Sequence, residues 1–152
     1  MTIKIPNLSL VLLIGASGSG KSTFAARHFS ETEVLSSDFF RRLVADSETV
    51  LDANDDAFDA LRTVAAKRLG RGLLTVIDAT NVQPHARKPL LALAREYHAI
   101  PVAIVLNLPE SVSHERNAAR PDRQFGPHVV RNQRKALRRS FKGLRREGFR
   151  YV

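Results

Sequence analysis

The stretch that decides the fold runs from Leu8 to Thr23 and reads LSLVLLIGASGSGKST. Its first seven residues are almost all apolar, which is typical of a buried β-strand, and the remainder contains the spacing Gly-x-x-x-x-Gly-Lys-Ser. Glycines allow the backbone to curl tightly, so that successive N–H groups point inward at the start of a helix, where an anion is favoured. The stretch therefore predicts a strand, a phosphate-binding loop and a helix, in that order.

The predicted loop supplies the first candidate site residues. We expect Lys21 to reach the β- and γ-phosphates of a bound nucleotide and the Ser22 hydroxyl to bind Mg²⁺. The remaining contacts to the nucleotide are expected from the rest of the loop: Gly15, Ser17, Gly18, Ser19, Gly20 and Thr23. A glycine-rich turn without a ligand is the alternative, and the preceding apolar strand argues against it.

Short apolar runs alternate along the chain with longer stretches of helical period, which is typical of parallel βαβ units. We expect strands near 8–14, 33–37, 73–78 and 100–107, and the start of another at 149–152. One helix is expected to end just before Gly70, which would be its stop signal, and another to begin at Pro84. A last long helix is expected to carry one apolar stripe, formed by Val130, Leu137, Phe141 and Leu144. The sequence thus predicts one α/β domain over residues 1–152, with a parallel sheet of the P-loop NTPase type and helices on both faces.

The composition is that of an ordinary globular domain, with 43% hydrophobic and 26% charged residues in a chain of 152. Cysteine is absent, which excludes disulfides and thiolate metal sites and is compatible with the cytoplasm, where we place the protein. The apolar run at the N-terminus is too short to span a bilayer, so we expect no membrane attachment.

The net charge of +9 is unevenly distributed. Residues 1–110 contain 12 Lys/Arg and 12 Asp/Glu, whereas residues 111–152 contain 12 and 3. This bias indicates a polyanionic partner that is bound mainly by the C-terminal part. Two solvated helix faces of opposite charge would give the same counts and remain the alternative.

Two carboxylates follow predicted strands, at the edge of the sheet where ligands bind. Asp78 ends the apolar run in LLTVIDATN, where phosphate-loop proteins place a carboxylate near the metal, and we expect it to act through water. Asp38, in VLSSDFFRRL, is the candidate that would align an acceptor hydroxyl and accept its proton late in phosphoryl transfer. For each carboxylate the structural alternative is a helix N-cap.

Arginines complete the candidate site. Arg41 lies one turn after Asp38, and its planar guanidinium suits a phosphodiester oxygen beside the reacting hydroxyl. In HERNAARPDRQ, Arg116, Arg120 and Arg123 would share one helical face. Three like charges repel unless an anion lies between them, which favours a lid at about residues 115–128 that closes over the transferring phosphoryl group. A solvated basic face is the alternative.

The motifs together resemble one family. The chain is similar to the N-terminal kinase domain of bacterial polynucleotide kinase-phosphatase-ligase, an RNA repair enzyme, through segments in the same order: GASGSGKSTFA, VLSSDF, LTVIDATNVQ, ARKPL, LNLPE, ERN, DRQ and GFRYV. The resemblance implies an adenylate-kinase-like core with an Arg-rich lid. It also implies transfer of the γ-phosphate of ATP or another NTP, with Mg²⁺, to the 5′-hydroxyl end of RNA or DNA.

The resemblance also implies individual roles. Asp38 matches the general base, Arg41 the acceptor-phosphate ligand, and Arg116 and Arg123 catalytic lid arginines that also contact the nucleotide. Arg120 matches a further nucleotide ligand, and Val129 a lid residue that packs on the terminal base of the acceptor.

The resemblance extends to partners. It implies phosphatase and ligase modules in a longer parent chain, from which this domain would be excised, and an RNA 3′-end methyltransferase. Two other functions fit the phosphate loop. A small-molecule P-loop kinase would not explain the basic C-terminal part, and a nucleotide-dependent nucleic-acid-binding module would leave Asp38 and Arg41 without a role.

Overall fold

A parallel sheet forms the centre of the protein, whose computed structural model describes residues 4–16, 20–47, 51–106, 127–141 and 143–152. The strands are β1 (Ser9–Ile14), β2 (Val34–Ser36), β3 (Thr75–Asp78) and β4 (Ile100–Val105), in the order β2-β3-β1-β4. All three pairings are parallel. The four strands lie within the predicted runs, and the predicted fold class is confirmed.

Helices connect and cover the strands. They are α1 (Lys21–His28), α2 (Ser37–Ala45), α3 (Asn54–Gly70), α4 (Pro84–Glu96), α5 (Pro127–Phe141) and α6 (Leu144–Glu147), with 3₁₀ turns at Glu31–Glu33 and Leu51–Ala53. None of the helices in the described part of the chain has both the length and the hydropathy needed to cross a membrane.

The central strand β1 divides the core into two layers. Its residues Leu10–Ile14 are 0% exposed. Leu10, Leu12 and Ile14 belong to the cluster that contains residues of α3 and α4, whereas Val11 and Leu13 pack with Ala25 of α1. Because successive side chains of a strand point to opposite faces, a strand covered on both faces reads as a continuous apolar run. This explains the LVLLI sequence.

Some boundaries differ from the prediction. Gly70 is the last residue of α3 rather than its stop signal, and the turn that follows uses Gly72, which has a φ of +74°. The last predicted helix is divided: α5 ends at Phe141, and Leu144 begins α6. Leu137 and Leu144 are nevertheless both buried.

The chain returns to the sheet after α6. Tyr151 forms an isolated parallel bridge with Val102 of β4. The Arg150 N–H donates to the Pro101 carbonyl at 2.9 Å, and the Ala103 N–H donates to the Tyr151 carbonyl at 2.8 Å. These contacts lie where the sequence predicted another strand to begin.

Candidate functional site

The phosphate loop begins where β1 ends. Gly20 is the N-cap of α1 and has a φ of +93°, a left-handed conformation that L side chains rarely adopt. At the other end of the loop, the Gly15 N–H donates to the Thr80 carbonyl at 3.0 Å, which ties the loop to the segment after β3. The strand, loop and helix therefore follow in the predicted order, while Ser17, Gly18 and Ser19 lie outside the described residues.

Lys21 bends back over this loop. Its side chain is buried, and its Nζ donates to the carbonyls of Gly15 and Ala16, at 3.0 Å each. These carbonyls hold the ammonium group against the loop. A phosphate oxygen is a stronger acceptor for this cation than a neutral carbonyl, so Lys21 is placed to exchange partners when a nucleotide binds. Thr23 follows in the first turn of α1 and is exposed.

Ser22 and Asp78 meet at the carboxyl end of the sheet. The Ser22 Oγ donates to the Asp78 Oδ2 at 2.8 Å, and Asp78 is 6% exposed. Asp78 is the last residue of β3 and caps no helix, because the N-cap of α4 is Gln83. A hydroxyl and a carboxylate are hard oxygen donors of the kind that Mg²⁺ prefers, so the pair fits this ion directly or through water.

Asp38 and Arg41 form a second pair. Asp38 lies in the first turn of α2, and the N-cap is Ser36, whose Oγ accepts a hydrogen bond from the Phe39 N–H at 3.3 Å. The N-cap alternative for Asp38 is therefore wrong. Its carboxylate forms an ion pair with Arg41, and the two side chains are 21% and 14% exposed, respectively.

Strand register brings the two pairs to one edge of the sheet. Asp78 pairs with Leu13 of β1 on one side and with Ser36 of β2 on the other. The phosphate loop follows the first of these strands, and Asp38 comes two residues after the second. The carboxyl end of the sheet, where ligands bind in open α/β proteins, therefore holds five of the candidate residues: Lys21, Ser22, Asp78, Asp38 and Arg41.

The described part of the structure does not bring four other predicted site residues into this arrangement. Arg116, Arg120 and Arg123 lie outside the described residues. Val129 is in the first turn of α5 and has a half-buried side chain. The roles of these four residues stay predictions.

Asn81 is a residue of the site that sequence reasoning missed. It is 3% exposed and has a φ of +53°, and its Nδ2 donates to the Leu13 carbonyl at 2.8 Å. This bond connects the segment after β3 to the end of β1, immediately before the phosphate loop. A signal was present, because Asn is enriched among non-glycine residues with positive φ, and Asn81 follows directly on the strand-end motif DAT.

Arg87 was missed as well. It is 0% exposed, and it donates from Nε and Nη2 to the two carboxylate oxygens of Glu147, at 2.8 and 2.7 Å. Its Nη1 donates to the Asn81 carbonyl at 2.8 Å. The available signal was the position of Arg87, one turn before Leu90 on the buried stripe of α4. Through Asn81, the ion pair between the buried Arg87 of α4 and the half-buried Glu147 of α6 therefore supports the base of the phosphate loop.

Comparison with solved structures supports this assignment of the fold. A chain of the Pnkp1/Rnl/Hen1 RNA repair complex is 24% identical with a TM-score of 0.75, over 91% of this chain and 47% of that chain. A chain of a second Pnkp1/Rnl/Hen1 complex is 28% identical with a TM-score of 0.61, over 76% and 41%. The present chain thus spans about half of the length of these chains or less.

A small-molecule kinase is also similar. The Mycobacterium tuberculosis APS kinase CysC, solved with AMPPNP and APS, is 23% identical with a TM-score of 0.58, over 74% of this chain and 70% of that chain. No curated protein matches the sequence. Residues 10–144 match the AAA domain model, and this range includes all of β1 except Ser9, the phosphate loop and every other candidate residue. The chain therefore belongs to the AAA domain family and has the fold of a P-loop kinase.

Proposed function

We propose that the protein is a polynucleotide 5′-kinase, which transfers the γ-phosphate of ATP or another NTP to the 5′-hydroxyl end of RNA or DNA. The observation that carries this proposal is the Asp38–Arg41 pair at the same sheet edge as the phosphate loop. A carboxylate beside a guanidinium suits an acceptor in which a reacting hydroxyl lies next to a phosphodiester. A nucleotide-binding switch would need the phosphate loop alone.

In this reaction the chain mainly positions the reactants. Lys21 would transfer its hydrogen bonds from the loop carbonyls to the β- and γ-phosphates. Ser22 and Asp78 would hold Mg²⁺, which supplies charge neutralisation at those phosphates. Asp38 would align the 5′-hydroxyl and accept its proton late, because phosphoryl transfer is largely dissociative.

The proposal includes a lid. Arg116, Arg120 and Arg123, in a lid at about residues 115–128 of a single domain, would close over the transferring phosphoryl group and stabilise its charge. Val129 would pack on the terminal base of the acceptor. The excess of basic residues in 111–152, 12 Lys/Arg against 3 Asp/Glu, supports a nucleic-acid strand as the acceptor.

We further propose a cytoplasmic role in RNA repair. Two similar structures are Pnkp1/Rnl/Hen1 complexes, and one of them is described as an RNA repair complex. The partners that we propose are phosphatase and ligase modules of the same parent chain and an RNA 3′-end methyltransferase, and the likeness to these complexes supports a ligase and a methyltransferase.

The competing candidate is a small-molecule kinase, which the likeness to the APS kinase supports. The test is transfer of labelled γ-phosphate from ATP with Mg²⁺ to a 5′-hydroxyl oligoribonucleotide, beside the same strand carrying a 5′-phosphate. We expect label on the first strand alone. Labelling of neither strand, with label transferred instead to a small hydroxyl compound, would establish the competing candidate.

A further inference from the structure

The Arg41 guanidinium donates to Asp38 and to Asn54 through different nitrogens. Nη2 donates to the Asp38 Oδ1, while Nη1 donates to the Asn54 Oδ1 at 3.0 Å. Asn54 is the first residue of α3, so this hydrogen bond joins the start of α3 to Arg41 of α2. Asn54 was absent from the sequence-based candidates, because no local pattern connects it to a residue 13 positions away.

The ion pair conflicts with the proposed roles of its members. A carboxylate oxygen that accepts from Arg41 has less capacity to accept from an acceptor hydroxyl. A guanidinium nitrogen that donates to Asp38 likewise has less capacity to bind a phosphodiester. A phosphodiester is an anion and an acceptor for the same kind of donor, so it competes directly with Asp38 for Nη2.

Asn54 differs from Asp38 in charge. Its amide oxygen is neutral, so its hydrogen bond to Nη1 does not itself neutralise the positive charge of Arg41. This bond can persist when Nη2 changes partner, and it would keep the guanidinium in place during the change. Neutral amides are suited to such a holding role, because a second carboxylate would reduce the attraction between Arg41 and a phosphate.

We propose that Asn54 is the pivot of a partner exchange that the acceptor itself drives, an inference that rests on the proposed kinase function. The phosphodiester on the 3′ side of the first nucleoside takes Nη2 from Asp38. The released Asp38 oxygen then accepts from the 5′-hydroxyl. Asn54 touches neither reactant and acts through Arg41, so it is a positioning residue.

This exchange makes a specific kinetic prediction. A 3′-phosphate on a nucleoside acceptor should raise kcat as well as lower KM, because it takes Nη2 of Arg41 away from the Asp38 Oδ1. Hydrogen bonds to charged groups contribute about 1.5–3 kcal/mol, so the ratio of kcat with and without the 3′-phosphate should be at least about tenfold. A phosphate that only adds affinity would change KM alone.

The experiment measures this kcat ratio in wild-type protein and in variants. Asn54→Ala should reduce the ratio about tenfold. Asn54→Asp keeps an oxygen acceptor in the same position, so it should retain most of the kcat ratio at saturating acceptor, but its added negative charge should raise KM for the acceptor that carries a 3′-phosphate. Asn7→Ala is the matched control, since Asn7 is exposed and precedes β1 at the opposite edge of the sheet.

The outcomes separate the inference from the function on which it rests. A ratio taken within one variant cancels any loss of folded protein, so a merely structural role of Asn54 would leave it unchanged. An active wild-type protein with an unchanged ratio in Asn54→Ala overturns the pivot and leaves the kinase intact. A wild-type protein that phosphorylates no 5′-hydroxyl acceptor overturns the kinase, and the pivot with it.

Discussion

Glu147→Ala should destabilise the protein far more than the exposure of this residue suggests. The change leaves Arg87, which is 0% exposed, without the carboxylate that accepts from its Nε and Nη2. Removing one partner of a buried ion pair costs about 3–5 kcal/mol, because the other charge remains desolvated. The Glu147 side chain is 23% exposed, so water can enter the space that it leaves, which favours the lower end of the range.

We therefore expect a loss of about 3 kcal/mol in the free energy of unfolding. For a domain of this size, each kcal/mol lowers Tm by about 2–4 °C, which gives a decrease of roughly 6–12 °C. Urea titration followed by circular dichroism measures the first quantity, and a thermal scan measures the second. Glu96→Ala is the matched control, since Glu96 is exposed at the end of α4 and its loss should change stability by less than about 0.5 kcal/mol.

A double variant distinguishes charge burial from packing. Arg87→Leu with Glu147→Leu removes both charges together, so it should be less destabilising than Glu147→Ala alone. The reasoning is refuted if Glu147→Ala behaves like the Glu96 control. It is also refuted if the double variant loses stability equal to the sum of its two single changes.

Four further outcomes are expected at the site and along the basic C-terminal part. Asp38→Ala should slow phosphoryl transfer by about 10²- to 10⁴-fold with little change in nucleotide affinity, and near-normal turnover would remove Asp38 from the mechanism. Asp78→Asn should raise the Mg²⁺ concentration for half-maximal rate at least about tenfold, as a magnesium titration would show. Gly20→Ala should reduce both the stability of the protein and its affinity for the nucleotide, because Gly20 has a positive φ in the phosphate loop. Gly72 has a similar φ in the turn that follows α3, so Gly72→Ala should reduce stability alone. Paired melting and nucleotide-binding measurements test both variants. If the basic C-terminal part contacts about four phosphates of a single strand, the logarithm of the oligonucleotide affinity should fall with the logarithm of the salt concentration at a slope near −3. An affinity that does not change with salt would support a small-molecule acceptor.

Local patterns were sufficient to predict the fold. The continuous apolar run of β1 indicated a strand buried on both faces, and the loop spacing placed a helix directly after it. The carboxylates at strand ends followed from the same reasoning, since parallel strands present their carboxyl ends at one edge. Each of these predictions depends on residues that are neighbours in the sequence.

Contacts between distant residues could not be predicted in this way. Arg87 and Glu147 are 60 positions apart, and the RREGF segment around Glu147 gives no indication of which cation the carboxylate meets. Arg41 and Asn54 are 13 positions apart on different helices. Such pairings depend on how helices are arranged around the sheet, which periodicity does not determine.

The central position of β1 also controls when the domain can become stable during synthesis. β1 pairs with β3 and β4, and β2 joins the sheet only through β3. The growing chain therefore carries an apolar strand without partners until residues 75–105 have left the ribosome, and Arg87 is without its carboxylate for longer still. Exposed apolar strands of this kind aggregate readily, so residues 9–14 are a segment of the nascent protein that a chaperone would protect.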